Sequence, residues 1–378
     1  MATNGKAHFG SGPAADATRR IREAGQSVWL DSINRAMLRS GALAHYVREL
    51  GVTGLTSNPT ILGRAMAGSA EYDASLQAHL DEGQTDPQDL VYAVALEDLT
   101  EAAALLRPIW EASGGDDGYV SVEVPPGLAY DAARTAAFAR RLRDMASFPN
   151  LLVKIPGTLP GLTAMEELLN AGIGVNVTLL FSDAQYVQTA EAYIRALDQR
   201  RSRGATLTVP SVASVFVSRW DAAADPGLPA HLQGTLGLAM AAKVYASFQA
   251  LLASPRWREL AARGARPQRV LWASTSSKDP RSPSGYYVNQ LLAPGTIDTM
   301  PEKTLLALGP SDAWGPGLNA DFAAAERAVA TIAGKGLDVR ALGQSLQQQG
   351  ASRFSADWDA LVEAMAARVE AANLAMRC

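Results

Sequence analysis

Lys154 stands inside 151-LLVKIPGT-158, one of the most apolar stretches of the chain. The length and β-branched content of this run predict a buried strand. A buried ammonium is costly unless it is paired or gives up its proton. Two readings are open. Lys154 is either a strand-end lysine that snorkels to water or joins a structural ion pair, or a nucleophile. In the second case burial serves reactivity, because a desolvated lysine loses proton affinity and its neutral amine can attack a carbonyl to form a Schiff base. Pro156 and Gly157 turn the chain directly after the run, which suits a residue displayed at a strand end.

Schiff-base chemistry needs proton transfers, and two carboxylates in other apolar runs can supply them: Asp31 in 27-SVWLDS-32 and Glu123 in 119-YVSVEV-124. Either one serves equally as the counter-ion of Lys154. Other runs carry polar groups too: Ser57 and Asn58 in 54-GLTSNP-59, Asn176 and Thr178 in 174-GVNVTLL-180, Ser211 and Ser214 in 206-TLTVPSVAS-214, and Ser274 in 269-RVLWAST-275. Thr178 could hold a water, although a strand threonine is commonly only a β-former. Asn58 before Pro59 is also a common turn opening. Polar groups in so many separate apolar runs are poorly explained as solvent-facing decoration.

An eighth run, 296-TIDTMPE-302, completes the set. Between the runs lie segments such as 131-DAARTAAFARRLRDMAS-147, 183-DAQYVQTAEAYIRALDQRR-201 and 235-TLGLAMAAKVYASFQALLAS-254, whose apolar residues recur at helical spacing. Eight strand–helix alternations with long crossovers predict an α/β fold, a single (β/α)8 TIM barrel, whose chemistry collects at the C-terminal strand ends. A doubly wound sheet competes, weakened because no Gly-rich fingerprint follows an early strand. The stretch 59–118 exceeds one crossover and should carry extra helices. Residues 310–378 should add closing helices (319–336) and a C-terminal helix (353–376). The expected division is an N-terminal arm, loose or briefly helical, over 1–25 and a barrel domain over 26–378.

The chain has 378 residues, of which 48% are hydrophobic, enough for a large core, and a net charge of −4 with no basic block gives no reason to expect nucleic acid. Its only cysteine is Cys378, so no disulfide can form within the chain, and a cysteine metal site or nucleophile is implausible. His8, His45, His79 and His231 show no ligand-like spacing. No metal and no cofactor are expected. Neither a signal-like apolar segment nor a membrane-length apolar run is evident, so a cytoplasmic protein without a membrane partner is expected, as a monomer or homodimer.

Several stretches together resemble the transaldolase family: 54-GLTSNPTI-61, 151-LLVKIPGT-158, 174-GVNVTLLFSDAQY-186, 211-SVASVFVSRWD-221 and 271-LWASTSSKDP-280. The resemblance covers roughly residues 27 to 303, and 298-DTMPEKTL-305 is similar to the longer bacterial form. It implies roles position by position. Lys154 is the Schiff-base lysine, and Asp31 takes and returns the proton of the substrate's C4 hydroxyl. Asn58 bonds the substrate near the imine, while Glu123 and Thr178 hold the water that moves protons. Ser214 and Phe216 line the sugar site, with Ser57 and Asn176 as further substrate-contacting candidates. Arg219, Ser274 and Lys278 take the phosphate. Many relatives carry arginine where this chain has Ser276, which makes Lys278 the substitute cation unless it is only a loop lysine. The resemblance implies transfer of a dihydroxyacetone unit between sugar phosphates without a cofactor. The alternatives are an aldolase releasing free dihydroxyacetone and a catalytically silent sugar-phosphate-binding barrel.

Overall fold

Eight parallel strands close on themselves in chain order: β1 (Ser27–Leu30), β2 (Val52–Thr56), β3 (Val120–Glu123), β4 (Leu151–Pro156), β5 (Val175–Leu180), β6 (Ser211–Phe216), β7 (Arg269–Ala273) and β8 (Ile297–Met300). The computed structural model describes residues 12–66, 68–279, 282–309, 314–318 and 321–375. The expected (β/α)8 barrel is what forms, with one strand from each apolar run. Two starts differ from the runs by more than one residue. β2 begins earlier, at Val52, and β6 only at Ser211, because Pro210 has no N–H to extend the ladder.

The strands are buried on both faces, and their two-residue period separates two cores. Val28, Leu55, Val122, Val153, Val177 and Val215 face outward and pack with the surrounding helices. The opposite parity fills the barrel. Trp29, Leu152, Val212, Leu271 and Ile297 make an apolar plug. One period further toward the strand C-termini, the inward positions change character to Asp31, Lys154, Ser214 and Thr299. The plug thus supports a polar floor at the C-terminal mouth.

The helices Ala132–Met145, Leu159–Asn170, Asp183–Ser202 and Leu236–Ala253 form part of the outer ring. The stretch after β2 carries the extra helices expected of it: Pro59–Met66, Asp73–Asp81 and Pro87–Ala112. Among the described residues one segment, Ala230–Ala253, is long and apolar enough to cross a membrane, which the sequence reading did not find. Its helix packs against Asp183–Ser202 and Phe322–Ala333. Lys243 within it pairs with Asp183 and Glu326, so it is a barrel helix.

The C-terminal helix is longer than expected, running Val339–Ala375. It packs on Pro59–Met66, on Pro87–Ala112 and on the turn Pro126–Leu128 that follows β3. Gln347 Nε2 donates to the carbonyls of Gly157 and Leu179, both at 3.0 Å, tying this helix to the ends of β4 and β5. At the other end of the chain, Pro13–Glu23 is helical and packs on β1 through Ala17, Thr18 and Ile21. Cys378 and residues 1–11 of the expected arm lie outside the described residues.

Candidate active site

β3, β4 and β5 pair in a register that sets Glu123 beside Lys154 and Lys154 beside Asn176. Neighbours in register point the same way, here into the barrel. The Lys154 Nζ lies 3.4 Å from Glu123 Oε2 and donates to the Ser57 carbonyl at 3.2 Å. Both side chains are almost wholly buried. Neither Glu123 oxygen has a hydrogen-bond donor in good geometry. Burial pushes the Glu123 carboxyl up to about 7, against the lowering effect of Lys154 and with a further push from Asp31. Near neutrality this carboxyl therefore exchanges its proton readily, at hydrogen-bonding range of the amine.

Asp31 follows β1, anchored by its N–H to the Met300 carbonyl at 2.8 Å. Its Oδ1 accepts from the Thr56 hydroxyl at 2.6 Å, and Thr56 in turn meets the Thr299 hydroxyl at 2.8 Å. Desolvation raises the Asp31 carboxyl above its ordinary value, and Lys154, Thr56 and Lys278 oppose that shift. Asp31 borders the cavity, whereas Glu123 stands beside Lys154 on the neighbouring strand and does not border it.

Thr178 sits one period beyond Asn176 on β5, fully buried, and its hydroxyl has no partner among the described residues. An unpartnered buried hydroxyl is a place for a small polar molecule. Asn176 bridges the strands: its amide donates to Ser121 Oγ at 3.2 Å and its oxygen accepts from Ser214 Oγ at 2.6 Å. That network fixes Asn176 from both sides.

A cavity of about 620 Å³ opens above this floor. Asp31, Asn58, Lys154, Ser214, Phe216, Arg219, Ser274, Ser276 and Lys278 all border it. Asn58 caps the helix Pro59–Met66 by accepting from the Ile61 N–H at 3.0 Å, which leaves its NH2 for a ligand. Phe216 stacks on Phe181 with ring centres 5.4 Å apart and forms an apolar wall. Ser274 has φ of 55°, a left-handed conformation unusual for serine, and its Oγ meets Ser218 Oγ at 3.0 Å. Ser276 is engaged with Thr304 Oγ1 at 3.0 Å.

Ser57 does not present its hydroxyl to the cavity. It has the opposite parity to Thr56 and Asn58, is fully buried, and donates to the Ser121 carbonyl at 2.8 Å. What it offers the site is its own carbonyl, to Lys154. Ser211 lies at the far end of β6, bonded to Val175 O and to Gln268. The sequence reading missed Thr56 and Thr299, which strand parity could have found. It also missed Arg64, Arg353 and Phe354, which border the same cavity. Phe354 places its ring 5.9 Å from Lys154 Nζ. Among the described residues no cluster of three or more His, Cys, Asp or Glu side chains could hold a metal ion.

A closed parallel barrel with a buried amine, two carboxyl groups with raised proton affinity and a cation-rimmed cavity at the strand C-termini has the build of a (β/α)8 enzyme. Comparison with known proteins narrows the class. The sequence profile of the Transaldolase/Fructose-6-phosphate aldolase family matches residues 28–365, and the chain belongs to that family. It is 42% identical to a transaldolase of Thiobacillus denitrificans over 91% of this chain and 98% of that one. A transaldolase of Thermobifida fusca is 40% identical, covering 93% of this chain and 98% of its own. One from Acidothermus cellulolyticus is 39% identical, covering 95% and 98%.

Proposed function

We infer that the protein is a transferase with transaldolase activity in the cytoplasmic pentose phosphate pathway. It moves a dihydroxyacetone unit from a ketose phosphate, sedoheptulose 7-phosphate or fructose 6-phosphate, to an aldose phosphate, glyceraldehyde 3-phosphate or erythrose 4-phosphate. The observation that carries this reading is Lys154, buried on β4 with Glu123 at 3.4 Å and opening to a cavity bordered by Asp31 and by cations.

In this account the neutral amine of Lys154 attacks the C2 carbonyl, and the resulting carbinolamine loses water to give an iminium. Glu123, with a water held at the free Thr178 hydroxyl, supplies and later recovers the protons of that dehydration. Asp31 takes the proton of the C4 hydroxyl. The C3–C4 bond breaks, its electron pair passes into the iminium, and the shortened aldose phosphate leaves. The remaining three-carbon enamine attacks the aldehyde of the acceptor, the new alkoxide takes its proton from Asp31, and water hydrolyses the imine. Asn58, Asn176 and Ser214 hold the hydroxyl groups of the sugar, and Phe216 shields the enamine from solvent. Arg219, Ser274 and Lys278 hold the phosphate. The chemistry closes in protons and electrons without a cofactor.

Incubation with fructose 6-phosphate tests the transfer. Product should form only when an aldose phosphate acceptor is present. Free dihydroxyacetone appearing at the same rate with and without acceptor would instead make the protein an aldolase.

A further inference from the structure

A second cavity, of about 440 Å³, lies at the N-terminal face of the barrel, the end remote from Lys154. Its walls come largely from the segments that precede or open β3, β4, β5, β6 and β7. Arg143, Arg266, Trp110, Tyr119 and Thr208 supply its polar side chains, and no carboxylate borders it among the described residues. The apolar plug that includes Trp29, Leu152 and Leu271 stands between it and the mouth cavity, and no residue borders both.

Each arginine is anchored by one nitrogen and keeps other donors for a ligand. Arg143, in the last turn of Ala132–Met145, donates from Nη1 to the Phe148 carbonyl at 2.7 Å. Arg266, ahead of β7, donates from Nη2 to the Gly114 carbonyl at 2.6 Å. Neither pairs with a carboxylate among the described residues, whereas Arg140, Arg201 and Arg256 on the surrounding helices do. Asp117, under the barrel, is engaged with Ser27, Trp29 and the Gly118 N–H. Trp110 Nε1 is buried beside the Tyr119 hydroxyl but has no acceptor in good geometry. It converges with Arg266 Nη1 and Tyr119 Oη beside Gly115, each 3.3 to 3.4 Å from where a Cβ would stand. Gly115 has φ of 85°, which a side chain would oppose, so that point stays open.

We propose that this N-terminal cavity is a second ligand site, which takes a small phosphate monoester between Arg143 and Arg266. Two planar guanidinium groups favour a doubly charged oxyanion over a single carboxylate, and the indole N–H and the Thr208 hydroxyl can each serve a further oxygen. The volume is toward the small end of ligand pockets, which suits a sugar or polyol phosphate and excludes a dinucleotide. The site stands apart from the chemistry assigned to Lys154, since the two cavities share no bordering residue.

The test is calorimetric titration of the full chain with glycerol 3-phosphate, which has no carbonyl to react with Lys154, and with glycerol as the uncharged control. The parent protein should bind the phosphate ester and not glycerol, and that binding should survive in Arg219→Ala, whose side chain borders only the mouth cavity. Arg143→Gln and Arg266→Gln should each weaken it about tenfold to a hundredfold, the weight of one or two charge-assisted hydrogen bonds. Both should keep the parent's kcat and KM for fructose 6-phosphate. Arg143→Lys and Trp110→Phe should weaken binding by smaller factors. No binding by the parent, binding lost only in Arg219→Ala, or equal affinity in the parent and both glutamine variants would overturn the proposal. If a glutamine variant fails to fold, Arg143→Lys and Trp110→Phe decide, and parent-like affinity in both would contradict the site.

Discussion

Lys154 and Glu123 stand in register on adjacent strands, and Lys154 opposes the rise that burial imposes on the Glu123 carboxyl. With the Glu123 carboxyl at about 7, the activity profile should show a pH-dependent limb near neutrality. Glu123→Gln should remove that limb and lower kcat by about 10²- to 10³-fold, within the usual weight of general acid–base catalysis. A profile unchanged in shape would take Glu123 out of the proton path. Asp31→Asn separates the steps differently. It should lower turnover by about 10²- to 10⁴-fold yet still allow a ketose to be trapped on Lys154, since imine formation does not use the C4 proton. Loss of trapping together with turnover would show that Asp31 acts earlier. Most of these residues were legible because a charged or amide side chain is conspicuous inside an aliphatic run. Thr56 was not, since threonine is ordinary in strands. Ser57, a substrate-contacting candidate from its sequence, stands on the opposite parity, and the bonds of Thr56 to Asp31 and Thr299 show which of the two faces the site.

Strand β4 has to end where it does for Lys154 to meet Glu123, and the helix behind it enforces that end. Gly161, in the first turn of Leu159–Asn170, lies so close that a Cβ there would come within 1.9 Å of the Pro156 carbonyl oxygen. Gly161→Ala should therefore displace the end of β4, costing about 3 kcal/mol in urea unfolding and lowering kcat as well. Stability and activity both preserved would mean that this contact does not fix the strand. The elements were readable from eight apolar runs and helical spacing between them. The reach of the C-terminal helix was not. Arg353 and Phe354 come to the site from a segment far along the chain, and nothing local in 353-RFSADW-358 marks which helix face will meet the barrel mouth.

For the molecule as a whole, the buried acids make stability depend on pH in a direction opposite to that of surface carboxylates. Asp298 on β8 is fully buried, accepts from Thr275 Oγ1 at 3.0 Å, and leaves its other oxygen unpartnered. Burial raises it from 3.8 to about 7, so between those values the folded chain binds the proton more tightly than the unfolded one. Stability from this group is full below the lower value and falls as pH rises toward the upper one. Asp298→Asn should escape that loss, gaining on the order of 3 kcal/mol relative to the parent between about pH 4 and pH 8. A difference between the two proteins that does not change with pH would contradict it. The central claim is narrower than the fold and is tested by chemical trapping. Borohydride added with fructose 6-phosphate should leave a reduced adduct on Lys154 alone, seen by peptide mass, and Lys154→Ala should abolish both adduct and transfer. No adduct, or one on another lysine, would contradict the account.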